Sequence, residues 1–174
     1  KDAGYTEPTD VQMRAIPLAM EGKDLMVSSS TGSGKTASFV LPALTRVLAA
    51  REDASKKRDR GVTYGPRVLV LTPTRELALQ IEQELRKLTP QFKLFFTTCV
   101  GGTSIVPQIR GLKKKNHFVI GTPGRVLDLM DRGILDAQRI TTIVLDEADR
   151  MLDMGFIHDM RKILENTQIG RASC

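Results

Sequence analysis

Asp24-Leu25-Met26-Val27-Ser28-Ser29-Ser30-Thr31-Gly32-Ser33-Gly34-Lys35-Thr36 is the stretch whose reading decides the fold. Its first four residues form a short apolar strand pattern, and a loop of small residues follows. A helical pattern comes next, with Phe39/Val40, Ala43/Leu44 and Val47/Leu48 on one face. Strand, glycine-rich loop and helix start together form the context that a phosphate-binding loop requires. Gly32 and Gly34 release the backbone, so successive N–H groups can point at one anion. The helix N-terminus adds partial positive charge and unsatisfied donors. Lys35 can reach outer phosphates, and the Thr36 hydroxyl can sit on Mg²⁺. Ser29 stands where the strict pattern has glycine. The competing reading is a Gly/Ser turn before a helix that happens to carry a lysine. By itself the stretch implies a nucleoside triphosphate site and nothing finer.

A chain of 174 residues suits one domain with its own core. Hydrophobic content of 41% and charged content of 26% fit an ordinary globular protein. Lysine plus arginine exceeds aspartate plus glutamate by six, a balance that permits a polyanionic partner without requiring one. No apolar run is long enough to span a bilayer, and the first residues lack the shape of a signal peptide. Cys99 and Cys174 are the only cysteines, so a reduced, cytoplasmic protein is the expectation. Two histidines and two scattered cysteines offer no zinc or haem site.

Ahead of the first strand, Thr9 is a candidate N-cap for a short helix with Val11, Ala15 and Ile16 inward. Pro17 opens a second turn of helix that Gly22 ends, and Pro42 should bend the helix after the phosphate loop. Residues 49–66 carry mixed charges without apolar periodicity and read as a long solvated, mobile loop. From Arg67 the rhythm is regular. Strand patterns at 68–71, 94–100, 118–120 and 143–145 alternate with helical faces. Those faces are Leu77/Ile81/Leu85/Leu88, Ile105/Ile109/Leu112, Val126/Leu127/Met130 and Phe156/Met160/Ile163/Leu164. The strands are continuous β-branched and leucine runs, which means burial on both faces and a parallel sheet covered by helices. The expected fold is therefore α/β, a doubly wound parallel sheet. Ligands bind such sheets at the carboxyl ends of the strands. The distinctive polar clusters 28–36, 72–75, 101–103, 122–125 and 146–149 all follow strands, so they should share one face.

Asp146-Glu147-Ala148-Asp149 follows the last strand pattern. A triphosphate site needs one carboxylate to hold Mg²⁺ and a second to orient the attacking water. Asp146 suits the first role and Glu147 the second. An acidic helix N-cap is the plainer alternative.

Five motifs now stand in order: TGSGKT at 31–36, PTRELA at 73–78, GG at 101–102, TPGR at 122–125 and DEAD at 146–149. With them the chain resembles the first RecA-like domain of a DEAD-box RNA helicase, from Gly4 to Thr167. The resemblance implies ATP and Mg²⁺ as cofactors and RNA as partner, with no membrane association. It implies that Thr31, Gly32, Ser33, Gly34, Lys35 and Thr36 hold the phosphates, and that Thr36 and Asp146 place the metal. Lys35, Asp146 and Glu147 would be the catalytic set. The opening stretch from Gly4 to Gln12 resembles the family's Q motif, in which Gln12 contacts the adenine edge and Tyr5 stacks on the ring. Pro73, Thr74, Arg75, Gly101, Gly102, Thr122, Pro123, Gly124 and Arg125 match positions that grip the sugar–phosphate backbone in the family. Structural salt bridges compete for Arg75 and Arg125, and N-capping for Thr74 and Thr122. Asp149 would couple the two domains.

The resemblance also implies a second RecA-like domain, which this sequence does not encode. Residues 1–168 are expected to form a RecA-like domain incomplete at both ends, followed by an irregular tail at 169–174. A Ser-Ala-Thr motif and its strand are missing. In the family that strand lies between the phosphate-loop strand and the Asp146 strand, so a central gap with unpaired backbone groups is expected. The implied activity is ATP-driven local unwinding of RNA or remodelling of ribonucleoprotein by the parent protein, with an isolated fragment inactive. The alternative is a non-catalytic module that binds adenine nucleotide and RNA weakly.

Overall fold

Val68–Leu71, Phe118–Gly121 and Thr142–Leu145 are buried along their whole lengths, as strands covered on both faces must be. They are β2, β4 and β5 of a five-stranded parallel sheet. β1 is Asp24–Val27 and β3 is Phe96–Cys99. The computed structural model describes residues 24–27, 66–88, 94–114 and 116–167. The expected features before β1, at Pro42, in the loop up to residue 65 and in the tail lie outside them.

The strand order is β1-β5-β2-β4-β3, with every neighbouring pair parallel. β3 lies at one edge and shows it: Thr97 and Cys99 are buried while Phe96 and Thr98 are half-buried. Side chains alternate across the sheet and build two cores. Val68, Val70, Phe118, Ile120 and Val144 pack on one side with Ala78, Ile81 and Leu85 of α1 (Arg75–Leu88). Leu69, Leu71, Val119, Ile143 and Leu145 pack on the other side with α2 (Val106–Leu112) and α3 (Pro123–Asp131). α4 (Ala148–Asp153) and α5 (Ile157–Asn166) join this second core through Met151, Leu152, Met160, Ile163 and Leu164. Helices on both faces of a parallel sheet are the doubly wound arrangement.

The expected central gap is not there. β1 pairs directly with β5 through Asp24↔Thr142, Leu25↔Ile143, Met26↔Val144 and Val27↔Leu145. No strand separates them among the described residues. A strand side left open would strand a row of buried donors and acceptors, and the direct ladder satisfies them.

The last helical face read from sequence, Phe156/Met160/Ile163/Leu164, falls on α5, with Phe156 at its N-cap. Gly155, whose φ of +88 no helix accommodates, separates α5 from α4. Lys113 and Lys114 are exposed at the end of α2, as a solvated helix end should be. No helix among the described residues is long and apolar enough to cross a membrane.

Candidate functional site

The five strands end level with one another. Val27 pairs with Leu145, Leu145 with Leu71, Leu71 with Gly121, and Gly121 with Cys99. Each strand therefore hands its following segment to the same edge of the sheet. Read along that edge, the end of β1 is followed by 146–149, 72–75, 122–125 and 100–103. The acidic segment adjoins the strand that feeds the phosphate loop, and the other three segments are contiguous beyond it. The phosphate-loop residues Thr31, Gly32, Ser33, Gly34, Lys35 and Thr36 lie outside the described residues, as do Tyr5 and Gln12.

At the acidic segment, Asp146 N–H donates to the Leu71 carbonyl at 2.8 Å, carrying the ladder one residue past β5. Asp146 and Glu147 are both buried, at 6% exposure, an uncommon setting for carboxylates. Glu147 takes the left-handed conformation, with φ 54 and ψ 51. It stands at the N-cap position of α4, but its side chain makes no capping bond. Acidic capping is thus not what Glu147 does here. Its Oε1 accepts from Arg150 Nη1 at 3.4 Å. Asp149 is half-buried in the first turn of α4.

Beyond β2, Pro73 is buried, Thr74 half-buried and Arg75 exposed. Thr74 Oγ1 accepts from Leu77 N–H at 3.3 Å, so it caps α1 as expected. Arg75 makes no ion pair among the described residues. Thr72 is wholly buried, and its Oγ1 has no partner among the described residues.

The segments after β4 and β3 are tied together. Thr122 N–H donates to the Cys99 carbonyl at 3.0 Å. Thr122 occupies the N-cap position of α3 without a capping bond; its Oγ1 instead accepts from Gly101 N–H at 3.4 Å. Pro123 is buried at the first position of α3, where its missing N–H costs nothing. Gly101, Gly102 and Gly124 are exposed. Arg125 is half-buried and bonds to neutral acceptors rather than to a carboxylate. Its Nη1 donates to Gln108 Oε1 at 2.9 Å and its Nη2 to the Thr103 carbonyl at 3.1 Å. Gln108 was not singled out from sequence. The available signal was its spacing: it falls on the buried face of α2 between Ile105 and Leu112, a polar residue at an apolar position.

Cys99 ends β3 beside this network. Burial pushes its thiol up to about 12, with the nearby Arg125 charge pulling weakly the other way. Gly121, at the end of β4, has no room for a side chain. A Cβ there would lie 2.5 Å from both the Cys99 carbonyl oxygen and Val126 Cγ2.

Comparison with known proteins agrees with this arrangement. Residues 9–173 match the DEAD/DEAH box helicase family. The chain is 47% identical to DEAD-box ATP-dependent RNA helicase 20 of Arabidopsis thaliana over 171 residues, covering 98% of this chain and 33% of that protein. It is 44% identical to the ATP-dependent RNA helicase DbpA of Bacillus subtilis, covering 98% of this chain and 33% of that protein. The crystal structure of a DEAD box protein from Methanococcus jannaschii superposes with a TM-score of 0.65 at 40% identity, covering 94% of this chain and 41% of that one. A hypothetical ATP-dependent RNA helicase from Sulfolobus tokodaii superposes with a TM-score of 0.68 at 34% identity, covering 95% of this chain and 44% of that one. The chain spans about a third of the length of the curated relatives it matches. On the matched motifs, the sheet and these likenesses, the chain belongs to the DEAD/DEAH box helicase family and has the RecA-like fold of its members.

Proposed function

We propose that this chain is the ATP- and RNA-binding half of an ATP-dependent RNA helicase. The observation that carries the reading is the order of segments along one sheet edge. The acid pair lies beside the phosphate-loop strand, and the three candidate RNA-gripping segments lie together beyond it. Nucleotide and RNA would then occupy neighbouring stretches of a single edge, where a movement at one is felt at the other.

The residues present fit a nucleotide with its Mg²⁺. No group of three or more His, Cys, Asp and Glu that could hold a metal occurs among the described residues. The chain would supply only part of a coordination shell, and Mg²⁺ commonly takes one or two carboxylates plus phosphate oxygens. Asp146, buried at the end of β5, would be that carboxylate, with Thr36 giving its hydroxyl. When bound, Mg²⁺ neutralises charge on the phosphates. Lys35 would hold the outer phosphates, Gln12 and Tyr5 the adenine. Glu147, fixed by its turn, would orient the attacking water. Asp149 would link this domain to a second RecA-like domain.

On the RNA side, Thr74 and Arg75, the turn at 101–102, and the segment 122–125 would bind the sugar–phosphate backbone. Backbone N–H groups and guanidinium donors grip phosphates without reading bases, so binding should tolerate sequence. A cytoplasmic setting belongs to the same proposal, and Cys99 as a free buried thiol supports it.

One observation favours a second reading for the chain by itself. One carboxylate oxygen of Glu147, Oε1, is engaged by Arg150 at 3.4 Å. A domain that binds nucleotide and RNA but turns over only with a second domain would look like this.

The test is Glu147→Gln in the full-length protein. RNA-stimulated ATP hydrolysis should vanish while ATP binding persists. Turnover that survives the substitution would remove Glu147 from its role.

A further inference from the structure

Gln108 joins three groups that the candidate RNA edge requires. It is 7% exposed, on α2. Its Nε2 donates to the Val100 carbonyl at 2.9 Å and to Thr103 Oγ1 at 3.2 Å. Its Oε1 accepts from Arg125 Nη1 at 2.9 Å. Val100 and Thr103 are the two ends of the Gly101-Gly102 turn, so one amide closes the turn and holds the arginine. A carboxamide does both, whereas a carboxylate lacks the donor and an alkyl chain lacks both groups. Arg125 then reaches back to the Thr103 carbonyl, completing a ring of bonds. Two of the five guanidinium N–H groups are spent in this way, which leaves three for a ligand. Gly102 N–H makes no hydrogen bond among the described residues.

We infer that Gln108 is a positioning residue for the RNA backbone. It sets the glycine turn and Arg125 at a fixed separation, so that turn N–H groups and guanidinium donors meet one strand together. The inference rests on the reading of this edge as the RNA-binding edge. Without Gln108 the turn loses two closing bonds, and Arg125 loses its buried acceptor. Ordering both groups must then be done by the RNA, at a cost in affinity. The nucleotide end of the edge, beyond β2, is untouched.

The experiment compares the protein with Gln108→Met, Arg125→Met and the double substitution. Methionine fills the space of glutamine without its hydrogen bonds. Affinity for a fluorescein-labelled oligouridine is measured by anisotropy across a salt series, with ATP affinity and melting temperature measured in parallel. Gln108→Met should weaken RNA binding about tenfold, a loss of the size carried by one ordered contact. The slope of log affinity against log salt should become shallower by about 0.7, the share of one phosphate on a single strand. ATP affinity should hold, and the double variant should bind no worse than Arg125→Met alone. A general weakening of the fold would move neither the salt slope nor the non-additivity.

Unchanged RNA affinity and slope in Gln108→Met, or losses that simply add, would overturn the inference. Should Gln108→Met fail to fold, Gln108→Leu carries the same test. It likewise lacks both the donor to the turn and the acceptor for Arg125 and adds no charge, so the same two readouts decide. If the unsubstituted protein does not bind the oligouridine, the RNA-binding reading fails first and this inference with it.

Discussion

Arg150 donates through Nη1 to Oε1 of Glu147 at 3.4 Å, and Glu147 holds that position from a left-handed backbone. Left-handed conformation costs an ordinary side chain roughly 1–2 kcal/mol, and asparagine tolerates it better. The ion pair itself is worth about 0–1 kcal/mol, because the Arg150 side chain is 53% exposed. Glu147→Asn removes both, and the strain is the larger of the two. The variant should lose ATP turnover and melt about 2–4 °C higher, as expected for a gain near 1 kcal/mol in a domain of this size. A melting temperature that falls along with activity would show that no strain is stored at this residue.

Gly121 should accept no side chain. An alanine Cβ would sit 2.5 Å from the Cys99 carbonyl oxygen, a backbone atom that cannot swing aside. Relief requires β4 and β3 to separate at the very end that feeds the 101–103 and 122–125 segments. Gly121→Ala should cost about 2 kcal/mol or more, read as a lower denaturant midpoint. RNA affinity should fall with it, while Gly133→Ala, strained only by its own φ of +73 and with nothing within 4 Å of the added Cβ, should cost stability but leave RNA affinity unchanged.

Some of this was legible in sequence for a physical reason. Val68, Leu69, Val70 and Leu71 form an unbroken apolar run because both sides of β2 are covered, and no other strand environment tolerates that. The run of polar segments after each strand was legible for the same reason, since strand ends are where parallel sheets turn polar. The direct pairing of Val27 with Leu145 was not, because a buried strand's sequence does not name its neighbour. Nor was the left-handed turn at Glu147, since Asp-Glu-Ala-Asp reads equally well as a helix start. The bond from Asp146 N–H to the Leu71 carbonyl, just before that turn, is likewise a contact distant in sequence. Gln108 was legible only as a polar residue on an apolar face; its partners Val100 and Arg125 come from two other elements.

Cys99 should make the fold sensitive to alkali. Its thiol sits at about 12 in the folded chain against an ordinary value of 9.0. The folded state therefore keeps the proton that the unfolded state loses. Stability from this residue is complete below about pH 9 and declines as pH rises toward 12. The slope should approach 1.4 kcal/mol per pH unit across that window. Denaturation series in wild type and Cys99→Ala, taken at neutral and alkaline pH, isolate it. The difference in stability between them should shrink or reverse as pH rises, and parallel curves would mean the thiol does not titrate in this window. In a Cys174→Ser background, thiol labelling at pH 8 should proceed only as fast as the protein opens.

Thr74 should separate a structural role from a binding role within one side chain. Its Oγ1 caps α1 by accepting from Leu77 N–H at 3.3 Å, while the residue itself lies on the candidate RNA edge. Thr74→Ala removes the cap and should cost about 1 kcal/mol of stability. Thr74→Ser restores the hydroxyl without the methyl, and stability should return to within a few tenths of a kcal/mol. RNA affinity is the second axis. If the hydroxyl also contacts the RNA backbone, alanine weakens oligouridine binding and serine recovers it. If the contribution of Thr74 is capping alone, serine and alanine should differ in melting temperature but bind RNA equally at a temperature where both are folded. The second outcome would confine the grip on RNA to Arg75, the glycine turn and residues 122–125.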